Sequence, residues 1–280
     1  MDAPGFEEEE PRWGSDGSCR EHKRLRRAER ELVRAPEPIE LVDRQDPVLS
    51  GAQAIEASGA RTVPDIRTFH PRRGRMSDAQ RATMETLLPR YGVPEGPLDV
   101  ATLFGGRPVV LEIGFGLGHA TVELARADPS TGIVAVDVHT PGVARLLREL
   151  EEHGLDNVRV VHDDAVELLR ERVAESSLAA IRLFFPDPWP KARHHKRRIV
   201  RPDLVRLMAS RLQPGGVLHC ATDWAPYADV MLEVLTAEPA LRNAYAGWAP
   251  RLERPMTKFE RSGIERGHAV ADLVFVRRGG

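Results

Sequence analysis

Five short apolar runs separated by stretches of helical period constrain this chain more than any other feature. The runs are 108–113 (Pro-Val-Val-Leu-Glu-Ile), 132–136, 157–161, Leu178–Phe185 and Val217–Ala221. Each has strand length, and the segments between them repeat apolar residues at three- and four-residue spacing. Val122, Leu124 and Ala125 mark a helix over about 119–126. Val143, Leu146, Leu147 and Leu150 mark another over 141–152, with Pro141 near its start. Helices are also expected over 165–173 and 202–212, the second turning Leu204, Val205, Met208 and Leu212 inward before Pro214-Gly215-Gly216. The last third adds a helix around 227–236 and strands near 244–248 and 270–276. Strands alternating with helices predict an α/β fold: a Rossmann-like, mostly parallel sheet with helices on both faces.

Ligands of such sheets bind beyond the carboxyl ends of the strands, and acids cluster there. The first run contains Glu112 and leads into Gly114-Phe115-Gly116-Leu117-Gly118. A strand, a glycine turn and a helix bring backbone close to a ligand and aim a helix N-terminus at it. The dinucleotide fingerprint requires Gly or Ala at the place held by His119, so the turn suits a ligand without a pyrophosphate. Asp137 ends the second run, about 20 residues past the glycines, where an acid bonds ribose hydroxyls. Asp164 follows the third run and Asp187 the fourth. Carboxylates at successive strand ends fit a cationic nucleoside cofactor, and S-adenosylmethionine fits better than a nicotinamide dinucleotide.

The fourth run ends in Phe184-Phe185-Pro186-Asp187-Pro188-Trp189-Pro190-Lys191. Prolines on both sides set Asp187 on a stiff, irregular backbone. Lys191, Arg193, Lys196, Arg197, Arg198 and Arg201 follow with no acid among them. An acid at a strand end beside a cationic ribbon suggests a catalytic pocket facing a polyanion. Net charge over the 280 residues is only −2, so binding to nucleic acid must come from clustered charge. His194 and His195 lack an apparent third ligand, and no metal is expected.

Residues 1–60 run from an acidic block (Glu7–Glu10) through a basic one (Arg20–Arg34) to Pro36 and Pro38, with few large apolar residues. Such a segment is expected to be a disordered tail, with a short polar helix around 21–33 as the alternative. Residues 61–95 form a basic arm (Arg67, Arg72, Arg73, Arg75) and a helix over about 78–91, N-capped by Ser77 with Gln80 at the capping-box position. The arm's arginines either grip phosphates or form a solvated surface. Cys19 and Cys220 are not expected to pair, which fits a reducing cytoplasm. No apolar run approaches the ~18 residues of a membrane span, and the N-terminus has no signal-peptide pattern.

With these residues in view, residues 61–280 resemble the bacterial tRNA (guanine-N(7))-methyltransferase family, a class I S-adenosylmethionine-dependent group. The resemblance rests on Leu111-Glu112-Ile113-Gly114-Phe115-Gly116, Asp137-Val138-His139, the Pro186–Lys191 stretch running into Arg193–Arg198, Thr222-Asp223, Thr257-Lys258-Phe259-Glu260, and Gly267-His268. It implies that Glu112, Gly114, Gly116, Asp137, Asp164 and Asp187 contact the cofactor and that Asp187 is catalytic. It implies guanosine contacts from Lys191, Asp223, Thr257, Lys258, Phe259 and Glu260. It further implies RNA contacts from Arg193, His194, His195, Lys196, Arg197 and Arg198, in a monomer or homodimer acting on tRNA. Two positions depart from the family pattern: Asp137 where many members carry Glu, and Ser262 where a basic residue often stands. The rival readings are a catalytically silent RNA-binding subunit and a methyltransferase for another base. Adenine amino-methyltransferases carry an Asn/Asp-Pro-Pro-aromatic turn after the same strand, and here Trp189 intervenes between the prolines.

Overall fold

The computed structural model describes residues 66–69, 76–251, 254–265 and 267–279. The expected tail, the short helix considered around 21–33, and Arg72, Arg73 and Arg75 lie outside the described residues, as do the side chains of Lys258, Phe259 and Ser262. Seven strands form one sheet: β1 (Val109–Ile113), β2 (Gly132–Val136), β3 (Val158–Val161), β4 (Leu178–Phe184), β5 (Leu212–Thr222), β6 (Leu241–Asn243) and β7 (Ala271–Arg277). Their order is β3-β2-β1-β4-β5-β7-β6. The first five run parallel, while β7 lies antiparallel between β5 and β6. The winding reverses between β1 and β4, which opens a crevice beyond their carboxyl ends. Every residue of β1 and β2 is buried, as a parallel sheet covered on both faces requires.

The helices are α1 (Asp78–Tyr91), α2 (Val100–Leu103), α3 (His119–Ala127), α4 (Thr140–Glu152), α5 (Ala165–Glu167), α6 (Pro202–Arg211), α7 (Ala225–Ala237) and α8 (Lys258–Glu265). On one face α3 and α4 bury Val122, Ala125, Val143, Leu146, Leu147 and Leu150, and Met84, Leu87 and Leu88 of α1 pack against them. On the other, Leu204, Val205 and Met208 of α6 meet Tyr227, Met231 and Leu235 of α7. Each such burial stabilises by about 1.5–3 kcal/mol relative to exposure. The capping box of α1 forms: Gln80 N donates to Ser77 Oγ at 3.2 Å and Ser77 N to Gln80 Oε1 at 3.0 Å. The far end of α1 is tied to α4, where Tyr91 Oη donates to Glu151 Oε2 at 2.7 Å and Arg90 Nη1 reaches both Glu151 oxygens. The basic arm thus leads into a helix fixed on the sheet.

Three elements depart from expectation. The helix expected over 165–173 is α5 followed by a wide π-helical turn over Leu168–Arg172. That turn ends where Leu98 N donates to the Arg172 carbonyl and Arg172 Nε to the Gly96 carbonyl. The strand expected at 244–248 sits at 241–243 instead, because Asn243 turns the chain. Its Oδ1 accepts from Tyr245 N at 3.1 Å and its Nδ2 donates to the Gly247 carbonyl at 2.8 Å, a local turn that competes with the ladder. Finally, β5 begins at Leu212 and takes Pro214-Gly215-Gly216 into the strand, with a register shift against β4 between Leu178 and Ala180.

Candidate active site

A cavity of about 360 Å³ opens at the switch point beyond β1 and β4. Gly114 and Gly116 line it from the turn after β1, Asp137 from the end of β2, Asp163 and Asp164 from the end of β3, and Phe184 to Asp187 from the end of β4. Thr68 and Phe69 of the arm close another side, and among the described residues none that lines it is Lys or Arg. Such a wall suits a cationic ligand without phosphates.

The glycine turn is shaped by its backbone. Gly114 and Gly116 have φ of 76° and 62°, values that a residue with a Cβ seldom adopts. Asp137 braces the turn: its Oδ2 accepts from Gly116 N at 2.7 Å and its Oδ1 from His139 N at 2.8 Å. Each oxygen keeps further lone-pair capacity for a ligand hydroxyl. Asp164 caps α5, accepting from Val166 N at 2.8 Å. Glu112 lies behind the cavity wall on β1 and is 4% exposed. Its Oε2 has no hydrogen-bond partner. Burial raises the Glu112 pKa, partly offset by the nearby Arg182 charge. A buried carboxylate with an unpartnered oxygen is what a ligand ammonium or amino group would satisfy. These residues therefore fit S-adenosylmethionine.

Asp187 is exposed at the rim of the cavity, on a segment held at several points. Phe185 and Trp189, on either side of Pro186-Asp187-Pro188, both sit in the left-handed region, with φ of 53° and 45°. That conformation is an outlier for bulky side chains and persists only when the surroundings impose it. The impositions are visible. Phe185 N donates to the Ala221 carbonyl at 2.8 Å. Arg198 Nε donates to the Pro188 carbonyl at 2.9 Å. Trp189 is buried, its Nε1 donates to the Thr68 carbonyl at 3.1 Å, and the Arg197 guanidinium lies 4.7 Å from its ring centre. The acid is thus mounted on a rigid ledge facing solvent.

A family model described as a putative methyltransferase matches residues 106–273. A tRNA (guanine-N(7)-)-methyltransferase of Streptomyces avermitilis is 48% identical over 238 residues, covering 83% of this chain and 82% of its own. One from Aromatoleum aromaticum is 54% identical over 218 residues, with coverage of 76% and 84%. One from Paraburkholderia xenovorans is 48% identical over 259 residues, with coverage of 89% and 99%. The chain belongs to the tRNA (guanine-N(7)-)-methyltransferase family.

Of the residues that the family resemblance assigned to guanosine, Lys191 is exposed just before the 3₁₀ helix that follows the Asp187 segment, and the others lie on two neighbouring elements. Asp223 follows β5, and α8 passes so close that a Cβ on Gly263 would stand 2.8 Å from Asp223 Oδ2. His268 Nδ1 lies 3.6 Å from the same oxygen. Thr257 directly precedes α8, its Oγ1 accepting from Glu260 N at 3.1 Å. Glu260 is different: it is fully buried and both its oxygens are held by arginines. The basic ribbon is a short 3₁₀ helix over Ala192–Arg197. Arg193, His195 and Lys196 are exposed and His194 is half-buried. Arg198 departs from the expectation of a uniform cationic face. It is 5% exposed, bonded to Pro188 and stacked 4.7 Å from the Tyr227 ring centre. Sequence reasoning missed Thr68, Phe69, Phe184 and Phe185 as cavity residues. The arm's approach to the cavity leaves no local periodicity to detect. Among the described residues, no group of three or more His, Cys, Asp or Glu side chains could hold a metal ion, and no helix is long and apolar enough to cross a membrane.

Proposed function

We propose that this protein methylates N(7) of a guanine in tRNA with S-adenosylmethionine as donor, and that Asp187 is its catalytic residue. The observation that carries the reading is the meeting of Gly116, Asp137, Asp164 and Asp187 on one cavity at the switch point, in a member of this family. Glu112, Gly114, Gly116, Asp137 and Asp164 would hold the cofactor. When bound, S-adenosylmethionine supplies an electrophilic methyl group on a positively charged sulfur.

Guanine N(7) bears a lone pair and no proton, so no general base is required. The protein's work is alignment and electrostatics. Holding two reactants in line can contribute about 7–11 kcal/mol of barrier lowering. The guanine ring gains positive charge as N(7) is alkylated, and a fixed carboxylate beside it stabilises that charge without reorganising. Asp187, on its clamped ledge, is suited to this. Its carboxylate can also accept from the guanine Watson–Crick edge, which favours guanine over adenine. Lys191, Asp223 and Thr257, with Lys258 and Phe259, would contact the nucleoside, and the ribbon around Arg193 and Lys196 would contact phosphates. Residues 61–280 would form the methyltransferase unit, with 1–60 as an appended tail. A monomer or homodimer acting without metal in the cytoplasm completes the reading.

The test is Asp187→Ala, assayed for methyl transfer to unmodified tRNA with the product base mapped. Turnover is expected to fall at least about a hundredfold, the scale of losing one preorganised electrostatic contact, with tRNA affinity retained. Near-wild-type methylation would exclude the assignment.

A further inference from the structure

A buried chain of ion pairs lies behind the end of β4, and of its members only Glu260 was given a role by the family resemblance. Arg254 is its centre. Its Nε and Nη2 donate to Oδ1 and Oδ2 of Asp272 at 2.9 and 3.1 Å, and its Nη1 donates to Glu260 Oε2 at 2.5 Å. The other Glu260 oxygen accepts from Arg251 Nε at 2.8 Å. His219 Nε2 stands 2.7 Å from Asp272 Oδ1. Arg254, Glu260 and Asp272 are 6%, 0% and 1% exposed. Burying charges costs desolvation that their mutual attraction often fails to exceed, so stability is a weak reason for such a network.

Its position offers a stronger reason. The Arg254 guanidinium carbon lies 5.3 Å from the ring centre of Phe184 and 5.4 Å from that of Phe185. Phe184 ends β4, and Phe185 is the left-handed residue that leads into Pro186-Asp187. The Phe184 ring also meets the His219 ring edge-on, at 4.9 Å between centres. Both the arginine and the histidine of the network therefore touch the aromatic pair from which the Asp187 ledge springs. A cation over an aromatic face is attracted by the ring quadrupole, more strongly when desolvated. Here two carboxylates fix where that cation sits.

We infer that Arg254 is a positioning residue for methyl transfer, oriented by Asp272 and Glu260 and acting through Phe184 and Phe185 to set the Asp187 ledge. Glu260 then works through Arg254 and not by touching guanosine, since its side chain is fully buried beside Arg254. The network also joins the start of α8, which Thr257 directly precedes, to the Asp187 segment. This inference rests on the reading of Asp187 as the catalytic carboxylate.

Arg254→Lys keeps the charge but cannot span two carboxylates with a planar fork. Phe185→Leu removes the ring while leaving every ion pair intact, so it serves if the lysine variant does not fold. Each is assayed on unmodified tRNA, with turnover expressed per S-adenosylmethionine-binding site counted by calorimetry, so that a smaller folded fraction does not register as slower chemistry. Both are expected to lose about tenfold to a hundredfold in kcat at saturating cofactor, the scale of a misplaced reacting group, with the tRNA KM within about threefold of wild type; the cofactor Kd is also expected within about threefold for Arg254→Lys, whereas Phe185 lines the cavity and the Kd of its variant is measured only to set saturation. Wild-type kcat in either folded variant overturns the inference. So does Glu260→Gln if it raises the tRNA KM at unchanged kcat, because that result assigns Glu260 to substrate. Asp187→Ala is run alongside. If it loses turnover while Arg254→Lys and Phe185→Leu keep theirs, the positioning role fails and Asp187 stands. Full turnover in Asp187→Ala removes both.

Discussion

At Glu112 the cofactor binding proposed above is set against the stability of the ligand-free fold. Its carboxyl is buried in β1, one oxygen lacks a partner, and burial raises its pKa. A carboxyl whose folded pKa exceeds its unfolded value binds more protons in the native state between those two values. Stability therefore falls as pH rises through that window. Glutamine at this position carries no charge to desolvate. Glu112→Gln is expected to raise the melting temperature of the ligand-free protein at neutral pH and to weaken S-adenosylmethionine binding by about tenfold or more, the scale of losing a charge-assisted hydrogen bond. In the wild type, cofactor affinity should fall as pH drops through the raised pKa, a decline that begins at higher pH than an ordinary glutamate would give. Differential scanning calorimetry with and without cofactor measures both effects. A lower melting temperature for the ligand-free variant at neutral pH would contradict the account.

The element that matters most is the five-residue ledge from Phe185 to Trp189, which is held from outside itself. Its clamp to the arm, the bond from Trp189 Nε1 to the Thr68 carbonyl, keeps Phe69 at the cavity wall. Trp189→Phe removes that donor and also trims the buried ring that Arg197 faces; the net hydrogen bond alone is worth about 0.5–1.5 kcal/mol. The cofactor Kd, read by calorimetry, is expected to rise about two- to tenfold, as that energy range implies; an unchanged Kd would free the arm from any part in cofactor binding. The sheet was legible because parallel strands buried on both faces read as short, mostly apolar runs. The acids at its edge were legible because each follows directly on such a run. The Thr68–Trp189 clamp was not, since its partners are 121 residues apart. Nor was the Arg254 network, whose members come from β5, β7, α8 and the loop before it. Asn243 ended β6 through side-chain bonds that an apolar pattern does not register.

For the whole molecule, the question is how a chain of net charge −2 would bind the tRNA proposed as its substrate. The answer must be local, and the 3₁₀ helix over Ala192–Arg197 divides the ribbon's labour. Arg193 and Lys196 are exposed beside the Asp187 ledge, while Arg198 turns inward to the Pro188 carbonyl and the Tyr227 ring. Sequence alone treats these cations alike, but their chemistry differs. An exposed cation on a phosphate releases condensed counterions, so each contact steepens the dependence of log K on log salt by about 0.7–0.9. Replacing Arg193 and Lys196 together with Ala should flatten the tRNA-binding slope by roughly 1.4–1.8 and weaken tRNAs of different sequence alike. Arg198→Ala should leave the slope unchanged. It would instead lower the melting temperature and kcat, because it frees the Pro188 carbonyl and the ledge above it. Filter binding across a salt series, run on the two variants beside wild type, separates these roles. A slope that flattens with Arg198→Ala and not with the double variant would reverse the assignment of which side of this helix meets the RNA.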